Sequence, residues 1–540
     1  MVPPGRCVWR KVGCRPSREW CRCRTVQLES VKTDKLTGQS PESSGTLQRR
    51  WAGGRWAERS LKKPSGRCAY PGRRFYRHPV STHTITSAST YPASNRLVSH
   101  GAVLAERDAV RRLVGRLGLG PKPGELAVAI RAGFTSTLAA LTTAVGADAG
   151  AAATPVPALG PTTRSGGKPV GAAAVAARRA QRQALAAEGR ALGVWWLDRM
   201  AAVDVPYPER MTWFWHGHFA TSIQKVGFAK LMYAQNETFR RLGRGDFRTL
   251  AQAMIIDPAM LIWLDGQGNQ KRKPNENLAR EFMELFSLGV GNYTETDVRQ
   301  AARALTGWTL NYTSDTPHFN ARAHDPGPET VLGQSAGFDA TGLVDLLVQE
   351  PACPKFAAGR IWTRLVSDTP PDAATMDRLL AAYGPGHDIT ALIREAASSP
   401  QFADPASVLV KEPVLWLVGA LRALRLPASK LPPQVLAGSL KGLGQVPLTP
   451  PNVGGWPAGV PWLTTAAALT RLRLGQQLAA LGDISPVTAT SPSGRVDATA
   501  ALLGLGGFAD RTAAALTPLT NQPAQLVGLA LTTPEYVVSA

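Results

Sequence analysis

Helical periodicity interrupted by proline and glycine is the dominant pattern of this chain from about residue 103 onward. Apolar residues recur at spacings of three and four, and Gly or Pro follows each such segment. Strand-like alternation is nearly absent, which argues against βαβ units. The pattern therefore predicts an all-α fold, a large multi-helix single domain at 103–540 with Pro/Gly-rich loops, including an internal flexible loop at 147–168. The predicted helices span 104–119, 170–202, 208–219, 229–242, 246–264, 341–349, 354–366, 373–383, 388–398, 405–424, 462–481 and 522–531.

The first hundred residues differ from the rest in charge and in cysteine content. Residues 1–100 hold 20 Lys and Arg against 5 Asp and Glu, whereas the other 440 residues hold 41 against 34. Five of the six cysteines also lie there, and no amphipathic period runs through the segment. We predict that 1–102 is a disordered basic Cys/Arg-rich extension, or sequence upstream of a misassigned start. Because most of the basic excess belongs to this head, nucleic acid is not the predicted partner of the body.

Targeting signals are sparse. The N-terminus has charged residues where a signal peptide would have an apolar run, and no stretch reaches the roughly 18 apolar residues of a membrane span. As written, the sequence predicts a cytoplasmic protein without a membrane span. Export is the alternative if the start is misassigned.

Three blocks, at 210–222, 274–291 and 293–308, combine polar and aromatic residues at high density. In the middle block one helical face is apolar, and Arg280, Glu281 and Glu284 lie on the other face. Two interpretations remain open for this polar face. It is either a solvated, ion-paired surface, or part of a pocket in which Glu281 and Glu284 act as acid and base or bind a metal, with Arg280 orienting a carboxylate.

The block at 293–308 predicts a capped helix. Thr294 is placed to cap it and Asp297 to complete a capping box, while Arg299 and Arg303 lie four apart on the side away from the core. Most of this block is therefore interpreted as structural. Its functional contribution would be to present arginines to the neighbouring glutamates.

The histidines offer a metal hypothesis. His216 and His218 lie on a predicted helix, where side chains two residues apart point about 200° from each other, so a shared ion requires a break at Gly217. His324 and Asp325 follow in a loop that proline and glycine keep non-helical. Together with the glutamates they form a mixed nitrogen and oxygen set suited to zinc, manganese or iron. The alternative is that the two helix histidines lie among aromatic rings and bond to backbone atoms.

These blocks resemble the bacterial family called domain of unknown function 1800, over about residues 103–536. The run N-E-N-L-A-R-E-F-M-E-L-F at 275–286 is the most diagnostic, and V-K-E-P-V at 410–414 belongs to the same resemblance. This chain departs from the family at Gly217, where relatives usually carry Asn or Asp, and at Glu329, where they often carry Lys. The resemblance implies no established activity. Family members commonly look exported and are often encoded beside a family that resembles sulfatases and alkaline phosphatases, which implies a second protein as partner.

Three functional hypotheses follow. The first is a non-catalytic helical interaction or scaffold protein acting with a partner protein, in which the polar residues lock the helices together. The second is a metal-dependent hydrolase that binds a divalent metal through His216, His218, His324 and Asp325. The third is nucleic-acid binding through the basic head. The hydrolase hypothesis requires its side chains to converge on one pocket, whereas the scaffold hypothesis allows them to lie apart.

Overall fold

The computed structural model describes residues 103–143, 146–162 and 171–539. The predictions for 1–102, and for the part of the predicted loop at 163–168, lie outside the described residues. All described residues belong to one compact unit of the chain.

Helices dominate the described residues, so the predicted all-α class is confirmed. The first group of helices is α1 (Glu106–Arg116), α2 (Glu125–Ala132), α3 (Phe134–Thr143), α4 (Ala149–Ala152), α5 (Ala172–Ala202), α6 (Tyr207–His218), α7 (Ile223–Val226), α8 (Ala229–Leu242), α9 (Phe247–Ile255), α10 (Pro258–Trp263), α11 (Asn277–Glu281) and α12 (Glu295–Ala304). The second group is α13 (Ala340–Gln349), α14 (Ala352–Leu365), α15 (Ala373–Tyr383), α16 (Ile389–Ala397), α17 (Pro400–Ala403), α18 (Pro413–Ala423), α19 (Pro433–Leu443), α20 (Thr465–Leu481), α21 (Ser485–Thr488), α22 (Arg495–Leu502), α23 (Asp510–Leu516), α24 (Pro523–Ala530) and α25 (Pro534–Val537).

Strands are confined to three short antiparallel pairs in the described residues. Two are local hairpins, and the third joins distant parts of the chain, so that Val410 pairs with Val538 near the C-terminus. The pairs are β1 (Trp308–Asn311) with β2 (Thr316–Phe319), β3 (Glu329–Val331) with β4 (Gln334–Ala336), and β5 (Leu409–Val410) with β6 (Val538–Ser539).

Several predicted helix boundaries are wrong for identifiable reasons. The predicted helix at 246–264 is two helices, because the Asp257 side chain caps a new start at Pro258. The predicted helix at 405–424 begins only at Pro413, since the preceding residues extend to pair as β5. The predicted loop at 147–168 contains the one-turn helix α4, whose first turn is capped by the Asp148 side chain.

The third block begins as predicted, since Thr294 and Asp297 form the complete capping box. The helix of the middle block begins at Asn277 after Glu276, which makes no side-chain cap, while the Asn275 side chain accepts a hydrogen bond from the Asn277 amide. After Glu281 the helix widens into a π-helical turn at Phe282–Ser287. This turn buries Ser287, whose hydroxyl donates to the Phe282 carbonyl at 2.7 Å.

The core consists of two large hydrophobic clusters, and α6 contributes to both. Phe214 and Trp215 pack into one cluster and Trp213 into the other, so this helix is buried on nearly all sides. A helix in this position brings its charged residues into the interior, where each needs a partner.

One observation concerns membranes. Within the described ranges, no single helix has the length and apolar character needed to cross a bilayer. Helices α2 and α3 satisfy length and composition together, but they meet at a bend of 119°.

Candidate functional site

Glu209 on α6 is the centre of a buried ion-pair network. Its carboxylate accepts from Arg240 Nε at 2.5 Å, from Arg199 Nε at 2.7 Å and from the Trp196 indole at 3.1 Å. Burial raises the Glu209 pKa, but the two guanidinium groups outweigh it, so the pKa lies below its ordinary value. This network joins α5, α6 and α8 and is structural.

His216 lies in an aromatic enclosure. Its ring is 5.3 Å from Trp196 and 5.4 Å from Trp456, measured between centroids, and its Nε2 accepts the Leu448 amide at 3.2 Å. A neutral imidazole whose Nε2 accepts carries its proton on Nδ1, so neither nitrogen has a free lone pair. Burial lowers the His216 pKa to about 3, which keeps the ring neutral.

His218 has a different environment. Its Nε2 lies 2.9 Å from the Phe286 carbonyl and must donate to it, which leaves Nδ1 with a free lone pair. That Nδ1 is buried and has no hydrogen-bond partner among the described residues. Burial, followed by the charge of Arg360, lowers the His218 pKa to about 3. The helix continues unbroken through Gly217, so the break that a metal shared with His216 requires does not occur.

The polar face of the middle block is mainly an ion-paired surface. Arg280 bonds Glu295 at 2.7 Å and Glu276 at 2.9 Å. Glu284 accepts from the Tyr293 hydroxyl. Glu281 is half-buried, and burial together with the Glu284 charge raises its pKa.

His324 and Asp325 bond to the turn that follows α12. His324 Nδ1 lies 3.0 Å from the Thr306 carbonyl, and Asp325 accepts from Arg303 Nε at 2.8 Å. The Asp325 amide donates to the Thr306 hydroxyl at 2.8 Å. These contacts close the loop onto the helix, and the Arg303 hydrogen bond holds the Asp325 pKa below its ordinary value.

The six predicted residues do not form one constellation. In the part of the chain that the structure describes, no three His, Cys, Asp or Glu side chains come together as a metal-binding group. Apart from Glu281, each of these residues bonds to its own neighbourhood, as described above. Metal binding by these residues stays a prediction that requires a rearrangement of α6.

A different set of residues lines an arginine-rich cavity. This cavity, which we call the arginine cleft, has a volume of about 310 Å³ and lies between α1, α6, α14 and the segment that precedes α18. Six cationic and three acidic side chains line it, so it carries a positive excess. They are Arg111, Arg112, Arg116, Arg210, Arg364 and Lys411, with Asp108, Glu412 and Glu535.

Three arginines of α1 line the cleft, and two of them, Arg112 and Arg116, are buried. Arg116 donates to backbone carbonyls, including Val366 at 2.6 Å and Ser539 at 2.8 Å, and its Nε donates to the Ser539 hydroxyl. Arg112 is 1% exposed, and its Nη1 donates to the carbonyls of Phe402 and Asp404. Its Nε and Nη2 have no hydrogen-bond partner among the described residues. Burial lowers the pKa of Arg112 to about 10 and that of Arg116 to about 9.

Arg210 and Arg364 line the opposite side. Arg210 Nε donates to the Arg116 carbonyl at 2.9 Å, and burial lowers its pKa to about 10. Arg364 pairs with Glu412 at 2.7 Å, and the same carboxylate accepts from the Trp213 indole at 2.9 Å. One acidic group therefore neutralises one of these two cations.

A small recess continues from this side toward α6. Arg210, Arg364 and Glu412 line both spaces, and the recess adds His218, Arg360 and Trp456. Burial and the neighbouring charge of Arg364 lower the Arg360 pKa to about 10. His218, whose Nδ1 has no partner among the described residues, therefore lines a recess that shares three residues with the arginine cleft.

Lys411 and Glu535 complete the charge balance of the cleft. The Lys411 ammonium lies 4.0 Å above the centre of the Tyr536 ring, and burial lowers its pKa to about 8. Glu535 accepts from the Ala509 amide through Oε1, while its Oε2 is buried without a partner in the described residues. Asp108 pairs with Arg111. Among the described residues, four lining cations have no carboxylate partner, namely Arg112, Arg116, Arg210 and Lys411. One lining carboxylate, Glu535, has no cation partner in the same part of the chain.

The sequence interpretation did not assign these residues to a site. A signal was present, because Arg112 and Arg116, like Arg360 and Arg364, are spaced by four with no acidic residue between them on the same helical face. Such pairs are ordinary on exposed helices. Only burial of the whole helix distinguishes them.

Comparisons with known proteins give one finding. Residues 112–538 match the family described as "Protein of unknown function (DUF1800)". No curated protein and no solved structure matches the chain.

Proposed function

Because the chain belongs to the DUF1800 family, whose description assigns no activity, we propose from its own geometry that the arginine cleft binds the anionic group of a ligand or partner. The group is a phosphate, a sulfate or a carboxylate. In this proposal the body is a non-catalytic helical interaction protein, and the three sequence blocks supply its framework.

One observation carries the proposal, namely the two unpartnered donors of Arg112 at a buried cavity wall. A buried donor without an acceptor costs roughly 1–3 kcal/mol, and more when it is charged. Native proteins pair nearly all such groups with protein atoms, ordered water or a bound ion. A planar guanidinium is suited to two parallel bonds with an oxyanion, and the neighbouring cations add attraction in a site of low dielectric.

The ion pairs outside the cleft support the scaffold part of the proposal. Glu209, Arg280 and Asp325 each bond across two or more helices or loops. Of these three, Glu209 is buried, and a buried polar network rigidifies a fold when every member is satisfied. The expected partner protein stays a prediction, and the cleft would be its contact if it presents an acidic or phosphorylated group.

The first test is anion binding by the full chain. We expect inorganic phosphate or sulfate to give saturable heat in isothermal titration at constant ionic strength. Arg112→Lys should weaken that binding at least about tenfold, because one lost charge-assisted hydrogen bond is worth about 1.5–3 kcal/mol. Lysine keeps the positive charge but lacks the planar pair of N–H donors that binds an oxyanion through two parallel hydrogen bonds.

The matched control is Arg425→Lys. Arg425 is 62% exposed and pairs with Asp483 outside the cleft, so the same chemical change should leave anion affinity unchanged. Lys411→Met gives a second cleft variant, expected to weaken binding by removing one charge. Equal affinity in wild type and Arg112→Lys, or no saturable binding of phosphate, sulfate or acetate, contradicts the proposal.

The hydrolase alternative makes a separate prediction about metal content. It requires near-stoichiometric zinc, manganese or iron in the purified full chain. We expect substoichiometric metal, because the Leu448 amide already occupies the His216 Nε2 lone pair. Plasma mass spectrometry of the purified wild type measures this metal content. The control is His318→Ala, which removes an exposed histidine. Near-stoichiometric metal that survives dialysis would favour the hydrolase.

A further inference from the structure

A second cavity lies between α5 and α19, and no residue lines both it and the arginine cleft. Its volume is about 680 Å³, within the range of about 300–1,000 Å³ that small-molecule sites occupy. Its walls are largely aliphatic, including Leu197 from α5, Leu436 and Leu440 from α19, and Val446 from the loop that follows. We call this space the apolar groove.

Two glycines one helical turn apart keep the groove open. Gly189 and Gly193 both lie on α5 and line it. A Cβ at Gly193 would meet no atom closer than Pro447 Cβ at 3.9 Å, so the space beyond this position is unfilled. At Gly189 a Cβ would lie 2.6 Å from the end of the Ile223 side chain. The groove therefore depends on the absence of side chains at these positions.

The charges on the groove wall all have one sign. Arg182, Arg190 and Lys441 line it, and none of the lining residues is acidic. No ion pair joins these three cations to other residues of the described ranges. Arg182 and Arg190 are exposed, so their charged ends lie at the solvent edge of an apolar space.

We propose that the apolar groove binds an unbranched aliphatic chain that ends in an anionic group, as in a fatty acid. The aliphatic walls take the chain, since each methylene removed from water adds about 0.8 kcal/mol. The basic edge takes the head group. This inference is independent of anion binding in the arginine cleft, because different residues form the two sites.

The test is titration of the full chain with carboxylates of eight, ten and twelve carbons below their micelle concentrations. Affinity is expected to rise about fourfold for each methylene. Gly193→Leu should weaken decanoate binding at least tenfold, because its side chain enters the groove without a backbone clash. Arg190→Gln combined with Lys441→Gln should weaken decanoate but leave decanol unchanged.

The matched control is Gly438→Leu on the exposed side of α19, where a Cβ meets nothing within 4 Å. It makes the same change on a groove helix without entering the groove, and decanoate affinity should not change. Equal decanoate binding by Gly193→Leu overturns the proposal, as does no binding by the wild type. Loss of self-association in Gly193→Leu, without decanoate binding by the wild type, would assign the groove to protein contacts and also overturn it. Phosphate binding should be the same in all these variants, which separates this result from that of the arginine cleft.

Discussion

Glu209→Ala is expected to lower the free energy of unfolding by about 3–5 kcal/mol, because it leaves the buried Arg240 and the half-buried Arg199 without their shared carboxylate. Glu209 is 1% exposed and binds Arg199, Arg240 and the Trp196 indole together. Equilibrium unfolding in urea at pH 7 measures the change. A loss below about 1 kcal/mol would mean that solvent reaches this network in solution.

The matched control is Glu237→Ala. Glu237 pairs with the same Arg240, but its side chain is 42% exposed, so its loss should cost at most about 1 kcal/mol. Comparing the two variants isolates the effect of burial from the effect of charge.

The Glu209 effect should also depend on pH. Because the folded-state pKa of Glu209 is lowered, its stabilisation is fully present above the unfolded pKa of about 4.3. It is lost as the pH falls through the lower folded value. The difference between wild type and Glu209→Ala should therefore be constant from pH 6 to pH 8 and shrink below about pH 4.

Gly455→Ala is expected to destabilise the fold by about 3–5 kcal/mol. Gly455 has φ +79°, which strains any residue with a Cβ, and an added Cβ would lie 2.2 Å from the Gly217 carbonyl oxygen. That oxygen belongs to α6 between the two clusters, so the backbone itself has to move. Urea unfolding measures the loss, and phosphate titration shows whether the shift reaches the recess lined by Trp456.

The Gly459→Ala variant separates the cost of backbone strain from the cost of a steric clash. Gly459 has φ +73°, and a Cβ there meets nothing within 4 Å, so only the backbone strain of about 1–3 kcal/mol is expected. Equal losses in the two variants would contradict the close approach of the Gly455 turn to α6.

The arginine cleft and the apolar groove suggest different uses of one helical framework. The cleft is lined by residues from both ends of the described chain, from Leu104 to Ser539, so its shape depends on the closed fold. The groove is lined by α5, α7, α19 and the loop segments at 428–431 and 446–449.

Sequence patterns predicted the structure correctly where contacts between nearby residues determine it. The capping box of Thr294 and Asp297 needs only four consecutive residues, and the predicted box is the one that forms. The break at Asp257 and Pro258 also carried a local signal, a cap followed by proline, which the long apolar period concealed. The π-helical turn at Phe282–Ser287 has no such signal, because tertiary packing decides it.

The candidate site shows the limit of pattern reading more clearly. The sequence suggested His216 and His218 as metal ligands because histidine commonly binds metals. In the structure, each ring is hydrogen-bonded to a backbone group. The alternative of histidines among aromatic rings describes their observed surroundings. Arg112 was not predicted as a site residue, because an arginine on a helix is ordinarily solvated.

The sequence by itself determined the helical class and the family, because periodicity, caps and motif spacing are encoded over a few consecutive residues. Only the tertiary structure decided which charges are buried. Burial depends on the packing of α1, α6 and α14 against segments hundreds of positions away, as in the contact of Arg112 with the Phe402 carbonyl. The pKa of a charged side chain and the cost of leaving it unpaired both depend on its solvation, and the folded chain sets that solvation.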